Sequence, residues 1–247
     1  MQNINNLSNG ASELKIDLGC GSAKREGFIG LDYVAAPGVD YVLNLTKDPL
    51  PFEDNTVDHV FSAHFLEHIV EPNHIFQEIS RVCRDGAKIE FWTPYAFSKD
   101  AFLYGHVIFL TEHPWLHFCC YYRDAHLGLL RGRWQLNNIN FVVAPEIEIE
   151  LADRGFSADF AIRYFHSVVT EFGVEIEFRR NLDVQPVMPV RTYSYSRYAE
   201  RFPLVDKIRG ATPEKTAVPD MGVFAGRLEA YRIKRDEYFG AALKCAE

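Results

Sequence analysis

An apolar run that ends in an acid and leads straight into a Gly-x-Gly turn is the feature that most restricts how this chain can fold. The stretch Lys15 to Tyr33 reads KIDLGCGSAKREGFIGLDY, and its second apolar run also ends in an acid, Asp32. Glycine adopts positive φ angles and lets the backbone approach a ligand closely, so Gly19-Cys20-Gly21 suits a sharp exit from a strand. The stretch therefore predicts two neighbouring strands with a ligand-binding loop between them.

Further apolar runs follow along the chain, separated by crossovers. A helix is predicted where Ile75, Phe76, Ile79 and Val82 share one stripe, at residues 71–84. Strands are predicted at residues 14–18, 28–33, 39–45, 56–64 and 87–94. These strands are mostly apolar rather than alternating, which is typical of a parallel sheet covered on both faces. We therefore predict an α/β fold with a doubly wound, Rossmann-like, mostly parallel sheet that binds ligands at the carboxyl ends of its strands.

The residue composition of the chain changes after the fifth predicted strand. Residues 95–140 are rich in aromatic rings and are predicted to form an insertion, either as a small core of its own or as a lid over a ligand. Strands at 141–151, either continuous or broken by Pro145, and at 173–181 are predicted to give the sheet an antiparallel edge, with a helix at 158–172 between them.

These elements suggest a division of the chain. Residues 1–183 are predicted to form the core, preceded by a loose polar arm at 1–12. Residues 184–247 are predicted to form a C-terminal extension that ends in a helix at 223–244, which either caps the domain or supports a homodimer.

The composition narrows the partners and the compartment. The formal net charge is −8 and the pI about 5.6, so the surface as a whole repels a phosphate backbone and nucleic acid is disfavoured as a partner. The five cysteines include no C-x-x-C pair, which argues against a disulfide scaffold and indicates a reducing, cytoplasmic location. No apolar stretch approaches the ~20 residues of a membrane helix, so no membrane partner is predicted.

The glycine loop does not fit the phosphate-binding patterns. A dinucleotide fingerprint needs a third glycine where this chain has Lys24, and an acid about 20 residues further on, whereas Asp32 comes sooner. A P-loop needs Gly-Lys-Ser or Gly-Lys-Thr, which does not follow here. Asp17 is suited to hold an ammonium group and Asp32 to accept both ribose hydroxyls, which favours a cationic nucleoside such as S-adenosylmethionine. The alternative is a strand-to-helix turn without a ligand.

The segments DLGCGS, GFIGLDY, LPFEDNTVDHVFSAHFLEHI and EISRVCRDGAKIEFWTP resemble class I S-adenosylmethionine-dependent methyltransferases over residues 14–94. The chain looks most like a compact subgroup with a very short helix after the glycine loop, several members of which act on sugars or secondary metabolites. It departs from the family pattern at Asn44, where an Asp often binds the adenine amino group, and at Asp85-Gly86, where Gly-Gly is usual. An amide oxygen can still accept that hydrogen bond.

The resemblance implies a cofactor site at the ends of the first four strands. It is predicted to include Asp17, Gly19, Cys20, Gly21, Asp32, Tyr33, Asn44, Leu45 and His64. His64 is placed by the resemblance at the methionine end of the cofactor, as a contact or as a base, and its alternative is a packing residue. Glu67 is interpreted as a simple cap or a charge complement at a helix N-terminus.

Methylation of a hydroxyl or an ammonium needs a base. His64, His113 and His117 are the candidates for it. Trp92, Tyr95 and His106 are predicted to line the substrate pocket. We predict no metal, because the spacings of the inserted histidines do not match a zinc site and acids near them are sparse.

The leading function is methyl transfer from S-adenosylmethionine to an oxygen or nitrogen of a small polar molecule, a sugar or a secondary metabolite. A first alternative is methylation of a peptide, a protein or RNA, since tyrosines interleave with the arginines Arg191, Arg197, Arg201 and Arg209. Packing of this segment against the core is the competing interpretation. A second alternative is a binding protein that keeps the fold without catalysis.

Overall fold

The computed structural model describes residues 13–204 of the 247-residue chain. Within this range nine strands form one open sheet in the order β3-β2-β1-β4-β5-β7-β6-β8-β9. The strands are β1 (Lys15–Leu18), β2 (Ile29–Asp32), β3 (Tyr41–Val42), β4 (Val57–Ala63), β5 (Cys83–Pro94), β6 (Arg133–Val143), β7 (Val169–Arg179), β8 (Val190–Ser194) and β9 (Phe202–Pro203). The predicted arm at 1–12 and the predicted helix at 223–244 lie outside the described residues.

The first five strands pair with one another in parallel, so the predicted parallel sheet is confirmed. β7 runs antiparallel and lies between β5 and β6. β8 continues the sheet in parallel with β6, and β9 closes it in the antiparallel sense. The predicted fold class, a mostly parallel sheet with an antiparallel edge, is thereby confirmed.

Helices surround the sheet, and most of those within residues 13–204 follow β5 in the chain. They are α1 (Asn73–Val82), α2 (Glu112–Leu116), α3 (Leu127–Leu130), α4 (Pro145–Asp153) and α5 (Ala158–Tyr164). Within residues 13–204, none of the helices has the length and apolar character needed to cross a membrane.

Three predicted elements are wrong in their extent. The strand predicted at 39–45 is observed only as Tyr41–Val42. The strand predicted at 141–151 begins earlier and stops at Val143, because Pro145 starts α4, a position that suits its fixed φ angle and missing N–H. The helix predicted at 158–172 stops at Tyr164, and its last residues belong to β7. The hydroxyl of Ser157 caps the start of that helix by accepting from the N–H of Phe160.

The crossover from β1 to β2 contains no helix, only turns. Beside this short crossover a second, small core lies on the face of the sheet opposite the main core. Two successive residues of β4 show this, because Val60 belongs to the main core and Phe61 to the small one, and neighbours in a strand point to opposite faces. That small core consists of Phe28, Phe61, Trp92 and Val142. The guanidinium of Arg25 covers it at 4.5 Å from the ring centre of Phe61. The charged side chain of Arg25 thus covers part of this side of the sheet.

Glu90 is the acid that holds this cover in place. One of its carboxylate oxygens accepts from the indole N–H of Trp92 at 2.7 Å, and the other pairs with Arg25 at 3.1 Å. His59 lies 3.6 Å from the same carboxylate. Burial acts to raise the pKa of Glu90, but the hydrogen bonds from His59 and Trp92 and the charge of Arg25 outweigh it and lower the pKa to about 2.

We predict that Glu90 makes stability depend on pH. Its folded pKa lies below the ordinary value of 4.5, so its contribution, about 2–3 kcal/mol, is present above that pH and is lost as the pH falls toward 2. Urea unfolding of wild type and Glu90→Gln should show a difference in unfolding free energy that shrinks to less than about half between pH 7 and pH 3. A difference independent of pH would contradict this assignment.

Candidate functional site

The carboxyl ends of four neighbouring parallel strands bring the candidate site together. β1, β2, β4 and β5 end at Leu18, Asp32, Ala63 and Pro94. Because they run in parallel, the loops that follow them share one edge of the sheet, which is where ligands bind in open α/β folds.

The glycine loop leaves β1 with two left-handed residues. Gly19 has φ +67° and Gly21 has φ +51°. The N–H of Gly19 donates to the carbonyl of Leu31 at 2.8 Å, which joins the loop to β2. A Cβ on Gly19 would lie 2.5 Å from the ring of Phe65, whereas one on Gly21 would meet nothing within 4 Å. Packing therefore requires the first glycine, and open space surrounds the second.

Asp32 fixes the loop to the end of β2. One carboxylate oxygen accepts from the N–H of Gly21 at 2.8 Å, and the other accepts from the N–H of Val34 at 2.9 Å. A carboxylate offers about four lone-pair sites, so the acid keeps capacity for further donors. Tyr33 stands next to it with 70% of its surface exposed.

Asp17 supports the same loop from beneath. It is 2% exposed and accepts from the backbone N–H of Arg25 at 2.8 Å. Burial raises its pKa to about 6, against the opposing effect of that hydrogen bond. Burial likewise raises the pKa of the Cys20 thiol, to about 11, so this thiol is protonated at neutral pH. Both residues brace the loop from the protein interior.

Asn44 lies beside Asp32, because the N–H of Leu43 donates to the Asp32 carbonyl at 2.9 Å. Its side-chain oxygen already accepts from the N–H and the hydroxyl of Thr46, at 3.0 and 2.7 Å. An adenine amino group would have to share that oxygen. Leu45 is buried in the main core.

His64 stands at the end of β4 between two carboxylates. Its Nδ1 lies 3.1 Å from Glu67 and its Nε2 lies 2.9 Å from Glu171. The hydrogen bonds to Glu171 and Glu67 raise the pKa of His64 to about 9, so both ring nitrogens carry protons at neutral pH. The predicted role of His64 as a base does not fit a ring that is already charged.

Glu171, from β7, is a member of this group that sequence reasoning missed. It is 107 residues from His64 in the chain and also pairs with Arg197 at 2.7 Å. No local pattern signals such a contact. Glu67, interpreted as a cap or a charge complement, lies in the first turn of the short helix Leu66–His68. It is 2% exposed, and its side chain faces His64.

The three inserted histidines go to different places. His106 reaches the end of β4, where ligand atoms of Glu67, His68 and His106 all lie within 4.8 Å of one another. His113 is exposed. It follows Glu112, which accepts a hydrogen bond from the hydroxyl of Tyr95 and so connects the insertion to the end of β5.

His117 instead pairs with His126 at 3.0 Å. His126 precedes α3 and the start of β6, which lies at the opposite edge of the sheet because β6 runs parallel to β1–β5. This placement does not fit the predicted catalytic role of His117.

Trp92 and Tyr95, both predicted to line the substrate pocket, are buried. Trp92 is 1% exposed and belongs to the small core, while Tyr95 is 5% exposed and donates its hydroxyl to Glu112 at 2.9 Å. Neither offers much surface to a substrate here. The exposed rings of the insertion are instead Phe97, Phe102, Tyr104, Phe109, Tyr121 and Tyr122.

The arginines that follow β7 are tied to acids of the core. Their partners are Glu112 for Arg191, Glu171 for Arg197 and Glu175 for Arg201. This arrangement favours packing of the segment against the core over a nucleic-acid-binding strip. Arg209 lies outside the described residues.

Residues 25–91 match the family model described as a methyltransferase domain. The match includes Asp32, Asn44 and His64 and confirms the resemblance to class I methyltransferases. The family depends on S-adenosylmethionine, as predicted for the cofactor. No curated protein matches the chain at a significant level.

Solved structures similar to this chain share little sequence with it. A chain in a complex that contains the Haloferax volcanii Trm112 methyltransferase activator has 18% identity and a TM-score of 0.46, covering 68% of this chain and 83% of that one. A Methanosarcina mazei methyltransferase has 15% identity and a TM-score of 0.42, covering 68% and 92%. Bacillus YcgJ has 12% identity and a TM-score of 0.42, covering 68% and 93%. Likeness at this level carries no information on the acceptor.

We predict that the contact of Gly19 with Phe65 limits the glycine loop. Gly19→Ala places a Cβ 2.5 Å from the Phe65 ring at a positive φ, whereas Gly27→Ala has a positive φ with nothing within 4 Å. The first variant should therefore lose about 1–3 kcal/mol more of unfolding free energy than the second, measured by urea denaturation. Equal losses in the two glycine variants would refute the steric explanation.

Proposed function

We propose that this protein transfers a methyl group from S-adenosylmethionine to an oxygen or nitrogen of a small polar molecule, such as a sugar or a secondary metabolite. The observation that carries the proposal is the pairing of Asp32 with Gly21, since it brings a carboxylate and an open glycine turn together at the carboxyl edge of β1 and β2.

The residues of this edge fit a nucleoside with a positive charge. Asp32 retains lone pairs for ribose hydroxyls while it holds the loop. The space around Gly21 allows a ligand to approach the backbone closely. S-adenosylmethionine, when bound, supplies a methyl group already activated by its sulfonium. The protein's part is to position the reactants and to exclude water.

His64 and its two acids are suited to an electrostatic and positioning role. The charged ring is held from both sides, by Glu67 on its own loop and by Glu171 from β7. Its φ of +55° keeps the loop after β4 in a fixed, left-handed turn. His113, exposed next to the end of β5, is the remaining candidate of the three for the base.

The insertion supplies exposed aromatic rings that suit an organic acceptor. Residues 107 and 108 donate their N–H groups to the Glu67 carbonyl, which fastens the insertion beside the end of β4. Exposed rings in the same part of the chain, Phe102 at 69% and Phe109 at 51%, are available to cover an acceptor.

Calorimetry with S-adenosylhomocysteine tests the cofactor site. Wild type should bind it, and Asp32→Ala should weaken binding on the order of 100-fold, because hydrogen bonds from the ribose to a charged acceptor are lost. Glu26→Ala removes an exposed acid from the same crossover and should leave the affinity unchanged.

Absence of heat with wild type, or equal affinity in wild type and Asp32→Ala, would overturn the site. Thermal unfolding of each variant establishes that it is folded. A transfer assay that compares hydroxylated and amine-bearing small molecules with peptides and RNA then tests the acceptor class.

A further inference from the structure

Three side chains from two separate parts of the chain meet beside the loop after β4. Glu67 and His68 belong to the short 3-10 helix Leu66–His68, and His106 comes from the insertion. One ligand atom of each lies within 4.8 Å of the other two. Two imidazoles and a carboxylate at this separation form a donor set that divalent transition metals bind.

Hydrogen bonds orient both imidazoles for ligation. His68 uses Nδ1 on the carbonyl of Gly105 at 3.0 Å, and His106 uses Nδ1 on the carbonyl of Ala101 at 3.2 Å. A carbonyl only accepts, so each Nδ1 carries the proton and each Nε2 keeps its lone pair. In metal-binding histidines, a hydrogen bond from the non-ligating nitrogen to a backbone carbonyl fixes the tautomer in the same way.

The carboxylate of Glu67 gives independent support for a bound cation. The side chain is 2% exposed, and its Oε1 contacts His64 at 3.1 Å. Its Oε2 is buried and has no hydrogen-bond partner among residues 13–204. A buried carboxylate oxygen without a partner is costly, and a bound cation would satisfy it.

The geometry requires only a small adjustment. Two ligands bound at about 2.1 Å to a tetrahedral ion lie about 3.4 Å apart, so atoms within 4.8 Å must approach by roughly 1 Å. His68 is exposed and His106 is partly exposed, so both rings have room for such a movement. Nitrogen ligands favour a transition metal over Mg²⁺ or Ca²⁺, which prefer oxygen.

We propose that Glu67, His68 and His106 form a binding site for a divalent transition-metal ion next to His64. Three protein ligands leave at least one coordination position open, as in catalytic rather than structural zinc sites. That position is available to an oxygen atom of the methyl acceptor, a role that rests on the proposed function, whereas metal binding itself does not. The prediction of no metal made from residue spacing is replaced by this proposal, because the ligands are not neighbours in sequence.

The test uses the full chain, stripped with a chelator and titrated with Co²⁺ or Zn²⁺ alone. Wild type should bind about one ion, with a visible Co²⁺ absorption that Zn²⁺ displaces. The His68→Ala/His106→Ala double variant should weaken binding by more than about 10-fold, and Glu67→Gln should weaken it as well. The matched control is His166→Ala, which removes an exposed histidine outside the group.

Three outcomes would overturn the proposal: no ion bound by wild type, equal affinity in the double variant, or a near-ultraviolet thiolate band that points to cysteine ligands. If the double variant fails to fold, His106→Ala alone gives the same readout at a partly exposed ring. Binding of S-adenosylhomocysteine is measured separately. Cofactor binding without metal binding refutes this inference alone, and metal binding without cofactor binding refutes the proposed function alone.

Discussion

The hydrogen bonds from Gly21 and Val34 to the carboxylate of Asp32 are the interaction on which the site depends. In this chain the crossover after β1 contains no helix, so no helix N-terminus holds the glycine turn. Two acids take over that task through the backbone. Asp32 holds the N–H of Gly21 from the end of β2, and Asp17 holds the N–H of Arg25 from the buried end of β1. A loop fixed in this way presents its glycines to a ligand at little cost in conformational entropy on binding.

The short crossover also shapes the opposite side of the sheet. Arg25 and Arg197 lie over the aromatic residues of the small core, and each pairs with an acid, Glu90 and Glu171 respectively. Glu171 then reaches His64. Charges on a partly buried face are costly unless they are paired, which explains why the cations and acids there are matched to one another. Two sets of ion pairs therefore lie on this face: one includes Arg25 of the crossover after β1, and the other reaches His64 in the loop after β4.

The insertion combines two roles that the sequence did not separate. Trp115 packs inward, stacked on Phe91 of β5 at 5.2 Å, and anchors the segment to the sheet. His106 and the residues after it fold back over the end of β4, held by the Glu67 carbonyl. The same segment therefore contributes core on one side and functional groups on the other.

Local sequence determined the fold class, because apolar runs of 4 to 7 residues identify buried strands. It also predicted the glycine loop of the candidate site, because Gly19, Gly21 and Asp32 lie within one strand–turn–strand unit. It failed where local signals conflict: the alternating residues after Pro145 resemble a strand but form α4. Tertiary structure alone decided that β7 inserts between β5 and β6, that Glu171 pairs with His64, and that His106 lies beside Glu67 and His68. The physical reason is that hydrophobic period reports which side of a segment is buried, whereas pairing of distant polar groups depends on strand order and loop paths that no local pattern records.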